Sequence, residues 1–362
     1  MNAPERFTLD MTRFIRAPRD KVFDAFTTQA GLASWMGPRG MQVRSASVDN
    51  RVGDAWRVEM HNREGFSLMV GGHFKELQRP SRIVFSWMWE GETSPMPHLE
   101  TLIEVSLHEK DGGTELRMRH SGFPAAAARE GHRQGWVSTF NRLSDALDPR
   151  GSAGTLTLLG DLRSSYTRTA RMALAEKGVA FTMQECAPHS SDIRAVHPFG
   201  RIPALRDGEI TIWETAAIVN YIDECFDGGV SLRPSSILAR TRCAQWISAV
   251  NSYLYDTMIR RYLLQVIFPR GPQGTPDHAV IDAALGEIPA QLAALEQAYA
   301  GSDYLAGPAV SAADLFVAPV LAGLQSMPEG SQLLAACPNV LRAQHLMRQR
   351  PSFTSTAPPR AS

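Results

Sequence analysis

The sequence predicts an α+β chain folded in two separate parts, and three observations carry that reading. Strand-like segments dominate to about residue 120 and then give way to one long helical segment. A stretch of Pro and small residues breaks the pattern near residue 150, and beyond it a strand-helix-strand unit is followed by helical periodicity alone. The length of 362 residues suits two or three domains of roughly 100 to 200 residues, and 44% hydrophobic residues give each a core. Lys and Arg number 37, as do Asp and Glu. Zero formal charge offers no electrostatic footprint for nucleic acid, so no such partner is expected.

The first domain is placed at residues 1–148. Residues 6–15 alternate loosely as a strand, a short amphipathic helix over 19–28 follows Pro18, and strands then recur through Arg119. Their turns are explicit: Asp49-Asn50 before Gly53, Gly71-Gly72, Arg79-Pro80-Ser81 and Asp111-Gly112-Gly113. The last joins 102–109 to 114–120 as a hairpin. From Ala125 to Leu147 the period turns helical, with Trp136, Phe140, Leu143 and Leu147 on one face. One long helix over a curved antiparallel sheet leaves a cavity between the two. His120 and Glu104 lie in predicted strands here, and a satisfied or exposed pair is favoured over an acid and base in that cavity.

Five of the seven Trp precede the Asp148-Pro149-Arg150-Gly151-Ser152-Ala153-Gly154 stretch, and all four Cys follow it. A linker is therefore placed at 149–154. Cys186, Cys225, Cys243 and Cys337 form no CxxC or close pair, which speaks against a zinc knuckle or a disulfide framework. The ten His show no HxH, HxxH or HxxxH spacing, so no metal is expected. Residues 1–10 lack an apolar signal core and no window holds 18 uninterrupted apolar residues; a cytoplasmic chain with no membrane association is the expectation.

After the linker, residues 155–160 read as a strand, 168–177 as a helix closed by Gly178, and 179–185 as a strand again. A helix near 190–196 and a hairpin of 203–206 and 209–213 around Asp207-Gly208 follow, then a helix over 214–226. Beyond Ile237 the period is helical: 237–267, 278–300 interrupted at Gly286 and Pro289, 312–324 and 338–348. This gives an α/β module at 155–232, an all-helical module at 233–353 and a flexible tail at 354–362.

Two resemblances follow. Ile15-Arg16-Ala17-Pro18-Arg19-Asp20-Lys21-Val22-Phe23 with Trp35, Gly72-His73-Phe74-Lys75-Glu76-Leu77, Ile83-Val84-Phe85-Ser86-Trp87 and Gly135-Trp136 make the first domain resemble the START/polyketide-cyclase superfamily, in its branch related to the activator of the ninety-kilodalton heat-shock protein ATPase. That resemblance implies a helix-grip fold and a hydrophobic ligand, and it leaves function open. Ser164-Ser165-Tyr166, His197-Pro198-Phe199-Gly200-Arg201-Ile202-Pro203-Ala204-Leu205, Glu214-Thr215-Ala216-Ala217-Ile218 and Ser311-Ala312-Ala313-Asp314 make the second half resemble a glutathione S-transferase. It implies a thioredoxin-like module, a helical substrate module, glutathione as co-substrate, a small hydrophobic second substrate and a homodimer.

Site residues follow from the second resemblance. Ser164 stands between a strand and a helix, where it caps the helix or, as the resemblance implies, donates to the glutathione sulfur, with Ser165 as second choice. A thiol of pKa ~8.5 is only about 3% ionised at pH 7, and lowering it two units takes about 2.7 kcal/mol. A charge-assisted hydrogen bond of roughly 1.5 to 3 kcal/mol plus a helix end of roughly 0.3 to 1 covers that. The resemblance implies a cis bond before Pro203 and pairing of the Ile202 backbone with the peptide. Arg201 meets a carboxylate or is a solvated surface Arg, and Glu214 with Thr215 holds the γ-glutamyl end or merely caps a helix. Ser311 and Asp314 read as a structural capping box. Tyr253 and Met258, with Tyr255 and Tyr262 nearby, are candidates for the electrophile site or plain core. The functional expectation is conjugation of glutathione to a small apolar electrophile; a non-catalytic ligand-binding or dimerisation scaffold and a glutathione-dependent isomerase stay open. Ser164-Ser165 in place of Cys weakens a thiol reductase.

Overall fold

The computed structural model describes residues 6–91, 95–96, 98–148, 156–226, 228–269 and 271–359. The linker expected at 149–154 lies outside the described residues. The chain divides into two compact units, Met1–Thr157 with Ala180–Thr182 and Arg206–Thr211 in one, and Leu158–Val179, Met183–Leu205 and Ile212–Ser362 in the other.

The first unit runs β1 (Phe7–Ile15), α1 (Arg19–Thr27), α2 (Gln29–Trp35), β2 (Gln42–Val48), β3 (Ala55–His61), β4 (Ser67–Gln78), β5 (Arg82–Glu90), β6 (Thr101–Lys110), β7 (Gly113–Phe123) and α3 (Ala126–Leu147). The strands form one sheet, ordered β1-β7-β6-β5-β4-β3-β2, with antiparallel neighbours throughout. The first strand pairs with the last, and β1 and β2 are the two edges of the sheet. Alternation along β6 buries Ile103, Val105 and Leu107, while the expected apolar face of α3 buries Trp136, Phe140 and Leu143. Helix α2 escaped the sequence reading because it is only 7 residues long; Thr28 caps it by accepting from Gly31 N.

His120 is fully buried and satisfied, not poised for proton transfer. Its Nδ1 accepts from Trp136 Nε1 at 3.2 Å and its Nε2 meets Thr101 Oγ1 at 2.8 Å, while that hydroxyl donates to the Trp87 carbonyl. Burial, with His132 beside it, pulls the imidazole down to about 3. Glu104 instead pairs with Arg82 at 2.7 Å.

The second half of the chain runs β8 (Leu156–Gly160), α4 (Ser165–Glu176), β9 (Thr182–Glu185), α5 (Ser191–Arg194), β10 (Ala204–Asp207), β11 (Ile210–Trp213) and α6 (Thr215–Cys225). Its strands form a second sheet, ordered β11-β10-β8-β9. A continuous helical rod follows, α7 (Ile237–Ala249), a π-wound segment (Val250–Leu263) and α8 (Leu264–Ile267), and then α9 (His278–Tyr299), α10 (Ala312–Gln325), α11 (Pro328–Ala335), α12 (Pro338–Arg348) and α13 (Pro351–Ser355). Helix α10 buries residues from Ala313 through Leu321 without a break, as a helix inside a bundle must.

Two expectations are corrected and one helix is added. Helix α9 passes Gly286 and Pro289 without a break, because Ile281, Ala284, Ile288, Leu292 and Leu295 bury one face straight through them and packing outweighs the missing hydrogen bond. Helix α11 was not read from the sequence, although Pro328 at its first position marks its start. The tail does not begin at 354. Helix α13 continues to Ser355, and Thr356 is buried, with its hydroxyl on the Ser352 carbonyl and its own carbonyl taken by Arg171 at 3.1 Å.

That C-terminal segment is tied to α4 along its length. The Glu176 carboxylate accepts from Arg350 at 2.6 and 2.7 Å and from Ser352 at 2.5 Å. Arg168 lies 4.0 Å from the Phe353 ring centroid and donates to the Phe353 carbonyl.

Candidate functional site

The turn after β8 is braced by its own ion pair, Asp161 with Arg163 at 2.8 Å, and delivers Ser164 to the head of α4. Ser164 has extended backbone angles and its Oγ accepts from Thr167 N at 3.3 Å, which makes it the N-cap. An accepting hydroxyl still owns its hydrogen. Ser164 can therefore donate outward to an anion at a helix end whose first N–H groups have no partner within the helix. Ser165, half-buried, is the first residue of α4.

Tyr166 stands one residue further on. Its hydroxyl donates to Asn251 Oδ1 at 3.0 Å, and its ring stacks on Tyr255 with centroids 4.3 Å apart. Burial, and then the neighbouring Tyr255, pushes the Tyr166 phenol well above its ordinary range. The Tyr166 hydroxyl proton is thus committed to Asn251.

The Ile202–Pro203 bond is cis, as the resemblance implies, and leads directly into β10. Arg201 is exposed beside it, close enough for its charge to be felt at Tyr166, Tyr255 and His197. Glu214 precedes α6 with φ of +68°, a backbone state that favours glycine, and Thr215 behind it is buried. The Glu214 side chain makes no cap hydrogen bond and is 58% exposed, so its carboxylate is held out from the helix head.

His197 carried no role in the sequence reading beyond its place in the motif, and no spacing could have tied it to Glu214. It is 2% exposed; Nδ1 accepts from Phe199 N at 3.2 Å, the ring lies against Trp213, and Nε2 stands 3.9 Å from Glu214. Burial holds the imidazole below its usual value, so it is a neutral support and no counter-ion.

The two electrophile-site candidates are not brought together. Tyr253 is 64% exposed, whereas Met258 is fully enclosed in the helical core and cannot be reached without unpacking it. Tyr255 is the aromatic residue of that helix that meets the Tyr166 ring, and Tyr262 is buried with its hydroxyl on Glu329 at 2.7 Å. Asp314 behaves as a structural cap: Oδ2 accepts from Ser311 N and Oγ, and Oδ1 from Leu305 N. Among the described residues no cluster of three His, Cys, Asp or Glu side chains is placed to hold a metal, and no helix is long and apolar enough to cross a membrane.

A sheet with a capped hydroxyl at one helix head and an exposed carboxylate at another, followed by a helical bundle, defines the class, and comparison with known proteins agrees. Residues 163–225 and 279–342 match the glutathione S-transferase N-terminal and C-terminal domains, and residues 16–148 match the activator of Hsp90 ATPase homolog 1-like protein. The chain belongs to the glutathione S-transferase family, with an activator-like domain of the START type ahead of the transferase domain. It is 31% identical to glutathione S-transferase F10 of Arabidopsis thaliana over 44% of this chain and 76% of that one. It is 24% identical to a stringent starvation protein A homolog of Haemophilus ducreyi, over 56% of this chain and 89% of the relative. A theta-class glutathione S-transferase of Xanthomonas axonopodis pv. citri, solved with glutathione bound, superposes with a TM-score of 0.50 at 26% identity, over 57% of this chain and 99% of that chain.

Proposed function

We propose that the transferase part joins glutathione to a small apolar electrophile and that the first unit binds a hydrophobic molecule. The observation that carries the first half is Ser164: its oxygen accepts the α4 cap bond while its hydrogen is left to donate. In this reading that hydrogen meets the glutathione sulfur and favours thiolate, with Ser165 as the alternative. The thiolate attacks the electrophilic carbon, a C–S bond forms as the bond to the leaving group breaks, and the thiol proton goes to solvent. The head of α6 with Thr215 would take the γ-glutamyl carboxylate and Glu214 its ammonium, the Ile202 backbone ahead of Pro203 would pair with the cysteinyl backbone, and Arg201 would meet the glycyl carboxylate. Tyr255 on Tyr166 would form the apolar wall beside the sulfur, in place of Tyr253 and Met258.

The relative with glutathione in its crystal supports the choice of co-substrate. We further propose a homodimer through the transferase part, a cytoplasmic setting, no metal requirement, a linker at 149–154 and a division of the transferase part near residue 232. Calorimetric titration of the full chain with glutathione, followed by an absorbance assay with 1-chloro-2,4-dinitrobenzene, tests the function. Binding with turnover is expected; binding without turnover on any acceptor would leave a scaffold, and absence of binding would remove glutathione from the account.

A further inference from the structure

The first unit holds an open cavity of about 400 Å³ between α3 and the sheet, within the range of small-molecule sites and near its lower end. Its floor is aromatic: Trp87, Trp89 and Trp136 line it, with the ring of Trp87 5.4 Å from Trp89 and 5.1 Å from Trp136. Its lip is fixed, because Arg142 donates to the carbonyls of Gly37 and Met41 and so holds the loop that carries Met36, Gly37 and Pro38.

Two features of this cavity are not explained by the packing of the fold. Helix α3 presents Gly131 and Gly135 to it, one turn apart, and a Cβ built on either glycine meets nothing within 4 Å. Glycine inside a helix lowers its stability relative to alanine. No close approach of a neighbour requires it at either position, so the fold alone would be better served by alanine at both.

The second feature is an uncommitted side-chain donor. Trp89 Nε1 donates to His132 Nε2, His132 Nδ1 to the Ala128 carbonyl, Trp136 Nε1 to His120 and Thr139 Oγ1 to the Gly135 carbonyl. Trp87 is 5% exposed, and its Nε1 is buried without a hydrogen-bond partner, so a ligand reaches it only by a shift of the ring. Among the described residues that line the cavity there is no Asp, Glu, Lys or Arg, and burial keeps His132 neutral. A charged ligand would leave water with only the uncapped head of α3 at Ala127 and Ala128 as a partial counter-charge, too little to offset its desolvation.

We infer that this cavity binds one uncharged, flat aromatic molecule bearing a hydrogen-bond acceptor, that Trp87 supplies the donor, and that positions 131 and 135 are glycine to leave it room. The inference rests on the proposed role of the first unit as a hydrophobic-ligand domain and adds the chemistry of the ligand. It is independent of whether the second half turns over glutathione.

The test uses the full chain and prodan, a neutral naphthalene with a ketone, whose emission moves to the red when the ketone is hydrogen-bonded. Wild type is expected to bind it with quenching of Trp emission, and 6-dimethylamino-2-naphthoate, the same rings with a carboxylate, is expected to bind at least about tenfold more weakly. Gly135→Ala should raise Tm by about 2 °C and change Kd less than about threefold. Gly135→Leu, and Gly131→Leu as a second filling variant should the first not fold, should weaken prodan at least about tenfold. Trp87→Phe should weaken it about three- to tenfold and shift bound emission to the blue. The inference is overturned by no prodan binding in wild type, by equal binding of the carboxylate, by a lowered Tm in Gly135→Ala, by unchanged binding in the folded leucine variants, or by unshifted emission in Trp87→Phe. Transferase turnover measured on the same samples reports separately on the second half, so a chain without it can pass this test and an active one can fail it.

Discussion

Glu214→Gly should make the protein more stable and poorer at holding glutathione at the same time. Glu214 sits at φ +68°, where a side chain costs of order 1–3 kcal/mol, and glycine, without a Cβ, sits there at less cost. Against that gain, glycine adds about 0.5–1 kcal/mol of unfolded-chain entropy. Nothing is lost at the helix end, since the Glu214 side chain makes no cap bond. The net is a stabilisation of about 0.5–2 kcal/mol, or a few degrees in Tm. The carboxylate, 58% exposed, is screened by water, so its loss is taken at the low end for a charged hydrogen bond, about 1.4 kcal/mol or a tenfold rise in KM for glutathione. Calorimetric melting without ligand and initial rates against glutathione concentration read the two effects. Glu214→Ala separates them, because alanine keeps the strained φ and should raise KM without raising Tm. A lowered Tm in Glu214→Gly, or a KM within twofold of wild type in both variants, would refute the reasoning.

Ser164→Ala should raise the pKa of bound glutathione by about 1–2 units and lower kcat at neutral pH about 10- to 100-fold, at about 1 kcal/mol of stability for the lost cap; an unshifted pH-rate profile beside an inactive Ser165→Ala would move the role one residue along. Acid should destabilise the first unit. His120 binds its proton near 3 when folded and near 6.5 when unfolded, so its contribution is complete above about pH 6.5 and is lost as pH falls toward 3, about 2 kcal/mol of it between pH 7 and 5. His132 shifts in the same direction, and Trp-fluorescence melts flat between those two pH values would contradict both. Asp314→Ala orphans three buried donors and should cost about 3 kcal/mol or more, while Asp314→Asn, which keeps one acceptor oxygen, should cost less; equal melting temperatures for the two would remove the capping account.

Periodicity made much of the fold legible, because β6 and α3 each bury one face and their side chains report it directly. The motif at 197–205 likewise located its cis proline. What stayed hidden depends on winding and on long-range partners. Tyr253 and Met258 look interchangeable with Tyr255 as residues of one helix, and only the π-wound course of 250–263 and its neighbours decide which of them meets Tyr166. The φ of Glu214 has no signature in a Glu-Thr pair, since nothing about glutamate invites that backbone state. Pro289 pointed the wrong way, for a residue scale cannot register that the face through it is buried. Gly135 entered the sequence reading only as part of a motif and Gly131 not at all, because the empty space beside them is visible only in the fold.

The tie between Glu176 and Arg350 spans 174 positions of chain. During synthesis, every residue assigned to glutathione has left the ribosome long before the segment that clamps α4 is made. A nascent chain halted ahead of Arg350 would hold Ser164 on a helix whose Glu176, Arg168 and Arg171 still lack Arg350, Phe353 and Thr356. Completion of the site is thereby deferred to one of the later events of translation, and truncated products would carry the chemical groups without the frame that aligns them.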